Sequence, residues 1–171
     1  MNASGRAPDQ VKLQARAREL ADAARVLGLH EVTLLDYRNG FMPWADRAAL
    51  EADIRAAITR AHADVVVTFD DDGLYWHPDH IVVHERVTAV VAGMGADGPA
   101  LFYASMPRGR MRAAVQSATA AAEARGDEVP VPAMVLGIEP DAFGLFTTPA
   151  TLAVDAGAFA QRKLAALRCH R

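Results

Sequence analysis

Three features are scarce in this sequence of 171 residues: cysteine, an excess of charge of one sign, and long apolar runs. The single cysteine, Cys169, excludes an internal disulfide and fits a reducing, cytoplasmic location. Lysine and arginine number 18 against 21 acidic residues, and the arginines are spread over several predicted helices, so we expect no nucleic-acid partner. The longest apolar stretch, residues 87–96, is about half of what a spanning helix needs, so we expect no integral membrane segment. The many charges near the start likewise predict no signal peptide.

The residues that carry chemistry are concentrated in residues 71–80, which read Asp-Asp-Gly-Leu-Tyr-Trp-His-Pro-Asp-His. They follow residues 65–69, a β-branched apolar run that predicts a strand buried on both faces. Pro78 suits the first turn of a helix, which we expect to extend to Gly93. The two histidines and the aspartate between them are therefore predicted at the carboxyl end of a strand, where open α/β sheets place ligand sites.

A His-x-x-His pair arises often by chance, but its acidic and aromatic setting favours a metal or proton-transfer site. His84 lies one helical turn after His80 and could share an ion with it, although a packed or solvated histidine is the plainer interpretation. A different metal site is a further alternative. Its ligands would come from His77, His80 or His84 together with Asp70, Asp71 or Asp72.

Residues 75–80, Tyr-Trp-His-Pro-Asp-His, resemble the Tyr-Gly-His-Pro-Asp-His motif of the LmbE-like, or PIG-L, family of zinc-dependent N-deacetylases. Likeness extends to a helix that ends in Leu27 and Gly28, and to residues 140–144 and 162–167 near the other end. The resemblance implies a hydrolase that removes an N-acetyl group, or cleaves a related amide, on a glucosamine-containing small molecule. It also implies zinc as the cofactor.

The resemblance assigns roles to individual residues of this chain. It implies that His80 binds zinc, that His77 protonates the leaving amine or steadies the tetrahedral intermediate, and that Tyr75 helps to polarise the amide carbonyl. Asp79 corresponds to a carboxylate that orients the neighbouring histidine. The residues that correspond to substrate-binding positions are Arg16 and Asn39.

Two departures from the family pattern bear on activity. Trp76 stands where the family has glycine, which affects how closely a substrate can approach the turn. The sequence also has no counterpart of the family's early His-Pro-Asp-Asp segment, which carries two zinc ligands and the carboxylate that activates water. We therefore expect an N-terminally incomplete chain that binds zinc weakly. The alternative to an active deacetylase is a non-catalytic or truncated relative that is inactive alone.

Helix and strand patterns alternate along the chain, and 51% hydrophobic residues can fill a core. These patterns predict a single α/β domain over residues 1–171, with a Rossmann-like, mostly parallel sheet and helices on both faces. The family resemblance further implies that the first strand of the family fold is missing. An open sheet edge would allow a homo-oligomer. The predicted helices are residues 8–27, one capped by Asp46, 78–93, 107–125 and 155–167, and the predicted strands are 31–36, 65–69, 100–104, 134–138 and 145–154.

Overall fold

The computed structural model describes residues 8–127, 134–135, 137–144 and 150–170. The chain forms two compact units. Unit 1 consists of Met1–Asp36 and Leu152–Arg171, and unit 2 consists of Tyr37–Thr151.

Unit 1 is built from two helices. Helix α1 (Pro8–Leu27) packs against helix α6 (Ala160–Leu167), which follows a 3₁₀ turn at Gly157–Phe159. Residues 31–36 are irregular, so the strand predicted there is wrong. A strand needs a neighbour to take its backbone hydrogen bonds, and no described residue pairs with this segment.

Unit 2 alternates helices and strands and carries the segment of interest. In chain order its elements are helix α2 (Arg47–Ala61), strand β1 (Val65–Phe69), the single turn α3 (Gly73–Trp76), helix α4 (Pro78–Ala92), strand β2 (Ala100–Ala104) and helix α5 (Arg110–Arg125). Short 3₁₀ turns lie at Met42–Trp44, Gly95–Asp97 and Pro140–Ala142.

The two strands pair in parallel, in a register that runs from Val65 opposite Ala100 to Phe69 opposite Ala104. Parallel neighbours need a crossover between them, and α4 provides it. The predicted α/β class and the parallel pairing are confirmed. The core lies between α2, α4 and one face of this sheet, and its members are Ile58, Val87, Val90 and Val91, with Val66 and Leu101 packed against them.

The other face of the sheet is open to solvent in the structure. Val65 and Val67 are 51% and 66% exposed, and Phe102 on β2 is 40% exposed. The prediction that β1 is buried on both faces is therefore wrong. Alternate side chains of a strand point to opposite faces, and α4 packs against only one of them.

Several element boundaries follow the sequence closely. Helix α1 spans the predicted residues, β2 does so too, and Asp46 caps α2 by accepting a hydrogen bond from the backbone N–H of Ala49 at 2.8 Å. Helix α4 begins at Pro78 as predicted. None of the described helices has the length and apolar character required to cross a bilayer.

The last predicted strands are not formed in the described residues. Within residues 134–138, residue 136 lies outside the described residues, and the others contribute only an isolated antiparallel bridge between Val135 and Ile138. Of the strand predicted at 145–154, residues 145–149 lie outside the described residues and residues 150–154 are irregular.

The difference in burial between Val90, on the core side of α4, and Val67, on the open face of β1, predicts unequal costs for the same substitution. Val90→Ala should lower the free energy of unfolding by about 2 kcal/mol, because Val90 is 2% exposed and its truncation leaves a cavity. Val67→Ala should cost under about 1 kcal/mol because that side chain is already in water. Urea unfolding followed by circular dichroism measures both, and equal losses would contradict the burial pattern.

Candidate functional site

The turn after β1 has an unusual backbone. Gly73 has φ +59°, and two larger residues, Leu74 and Trp76, also have positive φ, at 71° and 61°. Side chains other than glycine rarely adopt this left-handed region, and such conformations persist where surrounding contacts hold them. One of these contacts comes from Asp72, which is 2% exposed and accepts a hydrogen bond from the backbone N–H of Leu74 at 2.8 Å.

Gly73 lies directly against the first turn of α4. A Cβ atom on Gly73 would meet the Cβ of His80 and the Cγ1 of Ile81, each at 3.0 Å. The Gly73 carbonyl oxygen also accepts a hydrogen bond from Nδ1 of His80 at 3.1 Å. The absent side chain and the carbonyl together bring the turn and the histidine into contact.

His80 is held between two aromatic rings. Its ring stacks on Phe69, with centroids 3.9 Å apart and planes 6° apart, and Tyr75 meets it edge-on at 5.0 Å. Because a carbonyl can only accept, Nδ1 carries the proton and Nε2 keeps its lone pair. Burial lowers the pKa of His80, although the bond to Gly73 opposes this, so the neutral ring is favoured.

The Nδ1 atom of His77 accepts a hydrogen bond, whereas that of His80 donates one. His77 caps α4, and its Nδ1 accepts a hydrogen bond from the backbone N–H of Asp79 at 3.2 Å. The neutral ring therefore carries its proton on Nε2. Its centroid lies 4.8 Å from that of His80 and 5.8 Å from that of Tyr75. Two neighbouring imidazoles thus present different groups, an N–H from His77 and a lone pair from His80.

The Asp79 carboxylate binds a distant loop. Asp79 is 7% exposed, and its two oxygens accept hydrogen bonds from the backbone N–H groups of Gly40, at 2.5 Å, and Met42, at 3.0 Å. Only its backbone N–H contacts His77 in the hydrogen bonds described. The carboxylate therefore ties residues 37–44, which include Asn39, to the start of α4.

The same loop has a second attachment at its other end. The hydroxyl of Tyr37 donates a hydrogen bond to Asp53 on α2 at 2.7 Å. This bond to a carboxylate raises the pKa of Tyr37 to about 12. Between the two attachments, the guanidinium of Arg38 lies 3.9 Å over the ring of Phe41. The loop that carries Asn39 is therefore fixed at both ends.

The structure brings most of the predicted site residues together. Tyr75, His77 and His80 form one cluster of rings, and Asp79 links this cluster to the loop of Asn39. Arg16 belongs to unit 1, on an exposed part of α1, and its assignment to substrate binding stays a prediction.

The alternative metal sites find no support in the described part of the chain. No three His, Cys, Asp or Glu side chains among the described residues are arranged to hold a metal ion. His84 is a packed histidine, since its Nδ1 donates to the Phe69 carbonyl at 2.9 Å and its ring lies against Tyr103. His80, whose Nε2 lone pair remains available, is the residue here that suits a metal ligand.

Sequence reasoning missed the backbone groups that assemble the site. These are the carbonyl and the missing side chain of Gly73 and the N–H groups of Gly40 and Met42. The stacking of Phe69 on His80 was missed as well. The Asp-Gly and Asn-Gly pairs were signals of tight turns, but neither indicates which side chain the turn contacts.

Replacing the Asp79 carboxylate should release the loop. Asp79→Asn keeps one acceptor oxygen and turns an amide N–H₂ towards a backbone N–H, so we expect a loss of about 1–3 kcal/mol in the free energy of unfolding. Hydrogen exchange at the Gly40 and Met42 amides should become faster. Asp71→Asn, at an exposed position in the same segment, is the control. Unchanged hydrogen exchange at these two amides in Asp79→Asn would contradict the attachment of the loop to Asp79.

The hydrogen bonds of the two histidines predict opposite tautomers. Nitrogen-15 NMR of the imidazole rings above pH 7 should show His77 protonated on Nε2 and His80 on Nδ1. The His80 titration midpoint should fall below 6.5, because burial lowers its pKa. The unfolded chain takes up that proton more readily, so His80 contributes stability above about pH 6.5 that is lost as the pH falls. The same tautomer in both rings would contradict this geometry.

The chain is similar to one known protein family and to several named relatives. The family model described as PIG-L, GlcNAc-PI de-N-acetylase, matches residues 2–91, more than half of the chain. This match covers the whole ring cluster and the loop of Asn39.

The individual relatives include two proteins named 1D-myo-inositol 2-acetamido-2-deoxy-alpha-D-glucopyranoside deacetylase, from two different organisms. The one from Mycolicibacterium vanbaalenii is 33% identical over 130 residues, which cover 74% of this chain and 42% of the relative. The one from Acidothermus cellulolyticus is 32% identical over 179 residues, which cover 91% of this chain and 57% of the relative. The chain thus spans about half the length of these curated relatives. On the extent of the family match, the chain belongs to the PIG-L family of GlcNAc-PI de-N-acetylases.

Proposed function

We propose that this chain serves in the hydrolysis of an N-acetyl group on a glucosamine-containing small molecule. In this reaction the amide C–N bond breaks, water supplies oxygen to the acetyl group, and the products are acetate and a free amine. The names of the relatives support the substrate class, and the description of the matching family supports the removal of an N-acetyl group.

The observation that carries this proposal is the pair of histidines in opposite tautomers. Hydrolysis of an amide needs a group that donates a proton or hydrogen bond, together with a group that accepts charge or holds an electrophile. His77 offers an N–H and His80 a lone pair, with ring centroids 4.8 Å apart. A cluster of this kind suits both demands within one small volume.

In the proposed reaction, the Nε2–H of His77 hydrogen-bonds to the carbonyl oxygen. Alternatively, His77 first takes up a proton on Nδ1, in place of the hydrogen bond from the Asp79 amide, and the resulting imidazolium donates its Nε2 proton to the departing amine. Tyr75, whose ring edge meets both histidines, would direct its hydroxyl to the same carbonyl. Asp79 serves as a positioning residue, since its carboxylate holds the loop of Asn39 beside the cluster. We assign Asn39 and Arg16 to binding of the polar substrate.

Zinc is the proposed cofactor, with His80 as one ligand. The available Nε2 of His80 and its neutral ring fit this role, and its Nδ1 bond to a carbonyl is typical of ligand histidines. When bound, zinc would supply a polarising charge and activate water. A catalytic zinc site takes about three protein ligands. The described residues provide no such group of three, so weak zinc affinity is expected of them.

Two histidine variants test the proposal. With zinc added to the purified chain, release of amine from an N-acetylglucosaminyl-inositol measures activity, and calorimetry measures zinc binding. His80→Ala should lose both zinc and activity. His77→Ala should retain zinc and lose roughly 10²- to 10⁴-fold in turnover, as is typical for a general acid. His30→Ala, an exposed histidine in unit 1, should behave as the wild type.

Other outcomes would count against this division of roles. Equal loss of zinc in both variants would remove the distinction between ligand and proton donor. Zinc binding by the wild type without release of any amine would favour the alternative, a relative that does not catalyse by itself.

A further inference from the structure

We propose that Trp76 is a specificity-determining residue that stacks its indole ring on the pyranose ring of the substrate. The inference rests on the proposed function for the class of substrate. Four features of Trp76 support its proposed role: its position in the sequence, its backbone conformation, the hydrogen bond of its indole and its exposure.

Trp76 lies between two members of the ring cluster. It directly follows Tyr75 and directly precedes His77, whose ring centroids are 5.8 Å apart. Its own backbone N–H donates to the Asp72 carbonyl at 2.7 Å, which closes the turn. Position 76 is therefore next to the site along the sequence.

The backbone of Trp76 is one that a large side chain seldom adopts. Its φ of 61° lies in the left-handed region, where glycine would be free of strain. A tryptophan that keeps such a conformation is an outlier, and outliers of this kind cluster at functional sites.

The indole ring is fixed in place. Its Nε1–H donates to the carbonyl oxygen of Ala142 at 3.0 Å. Ala142 is the last residue of the 3₁₀ turn Pro140–Ala142. Asp141 in this turn forms an ion pair with Arg112 on α5. The next residue, Phe143, is 1% exposed. The indole is therefore held by hydrogen bonds at two points, the backbone N–H of Trp76 and its own ring nitrogen.

Trp76 as a residue is nevertheless 51% exposed. A tryptophan with a purely structural role would stabilise the fold most when buried, whereas Trp76 leaves about half of its surface in contact with solvent. An aromatic face presents negative charge density, and the axial C–H groups of a pyranose present the complementary apolar surface. A rigid ring loses little entropy on binding, so it suits recognition of a sugar.

The test uses the two indole N–H signals, from Trp44 and Trp76, in a nitrogen–proton correlation spectrum. The probe is methyl 2-acetamido-2-deoxy-α-D-glucopyranoside, without metal, and Trp44→Phe assigns the signals. The Trp76 signal should shift saturably while the Trp44 signal stays in place. An unshifted Trp76 signal at every concentration up to the solubility of the probe overturns the proposal.

Variants at the same position separate recognition from structure. Trp76→Leu should weaken binding of the probe about tenfold, because the aromatic face is lost, whereas Trp76→Phe should recover most of the affinity. Equal affinity of wild type and Trp76→Leu overturns the proposal, whatever the change in unfolding temperature. Amine release from the same glycoside is measured in parallel. Binding through Trp76 without amine release would refute the proposed function alone, and amine release with an unchanged KM in Trp76→Leu would refute this inference alone.

Discussion

The close approach of Gly73 to His80 is the contact on which the rest of the site depends. A Cβ atom at position 73 would lie only 3.0 Å from the Cβ of His80, closer than side chains normally pack, and the Gly73 carbonyl accepts the hydrogen bond that orients the histidine ring. Only with the turn this close can Phe69 and Tyr75 enclose His80 from two sides. The strained backbone at Leu74 and Trp76 is a consequence, since the chain must reverse within a few residues to reach α4.

Backbone groups also determine what each side chain can offer chemically. The two histidines belong to the same residue type, yet one faces a backbone N–H through Nδ1 and the other faces a carbonyl. Their tautomers follow from these partners and require no bound ligand. The different roles proposed for His77 and His80 are therefore prepared by the fold before substrate or metal arrives, which is the sense in which the site is preorganised.

Elements set by their own residues could be predicted from the sequence. The start of α4 at Pro78 and the cap of α2 at Asp46 follow from the backbone chemistry of those residues. Strands β1 and β2 were also predicted, but whether a strand-like segment finds a partner, and which of its faces is packed, could not be. Residues 31–36 have a strand-like composition but pair with no described strand, and the apolar composition of β1 does not reveal that only one of its faces is packed.

The candidate site shows the same division. The motif at residues 75–80 placed Tyr75, His77 and His80 together, because residues in one turn and the following helix start cannot lie far apart. The motif did not, however, indicate which groups the Asp79 carboxylate binds. An acidic residue between two histidines suggests that its carboxylate serves the histidines, whereas its oxygens bind amide groups of a loop nearly forty positions earlier. Every residue except proline has such an amide, so no residue type marks the loop as the partner. Residue types thus located the chemistry, but backbone contacts that only the folded chain reveals decide how those residues are held.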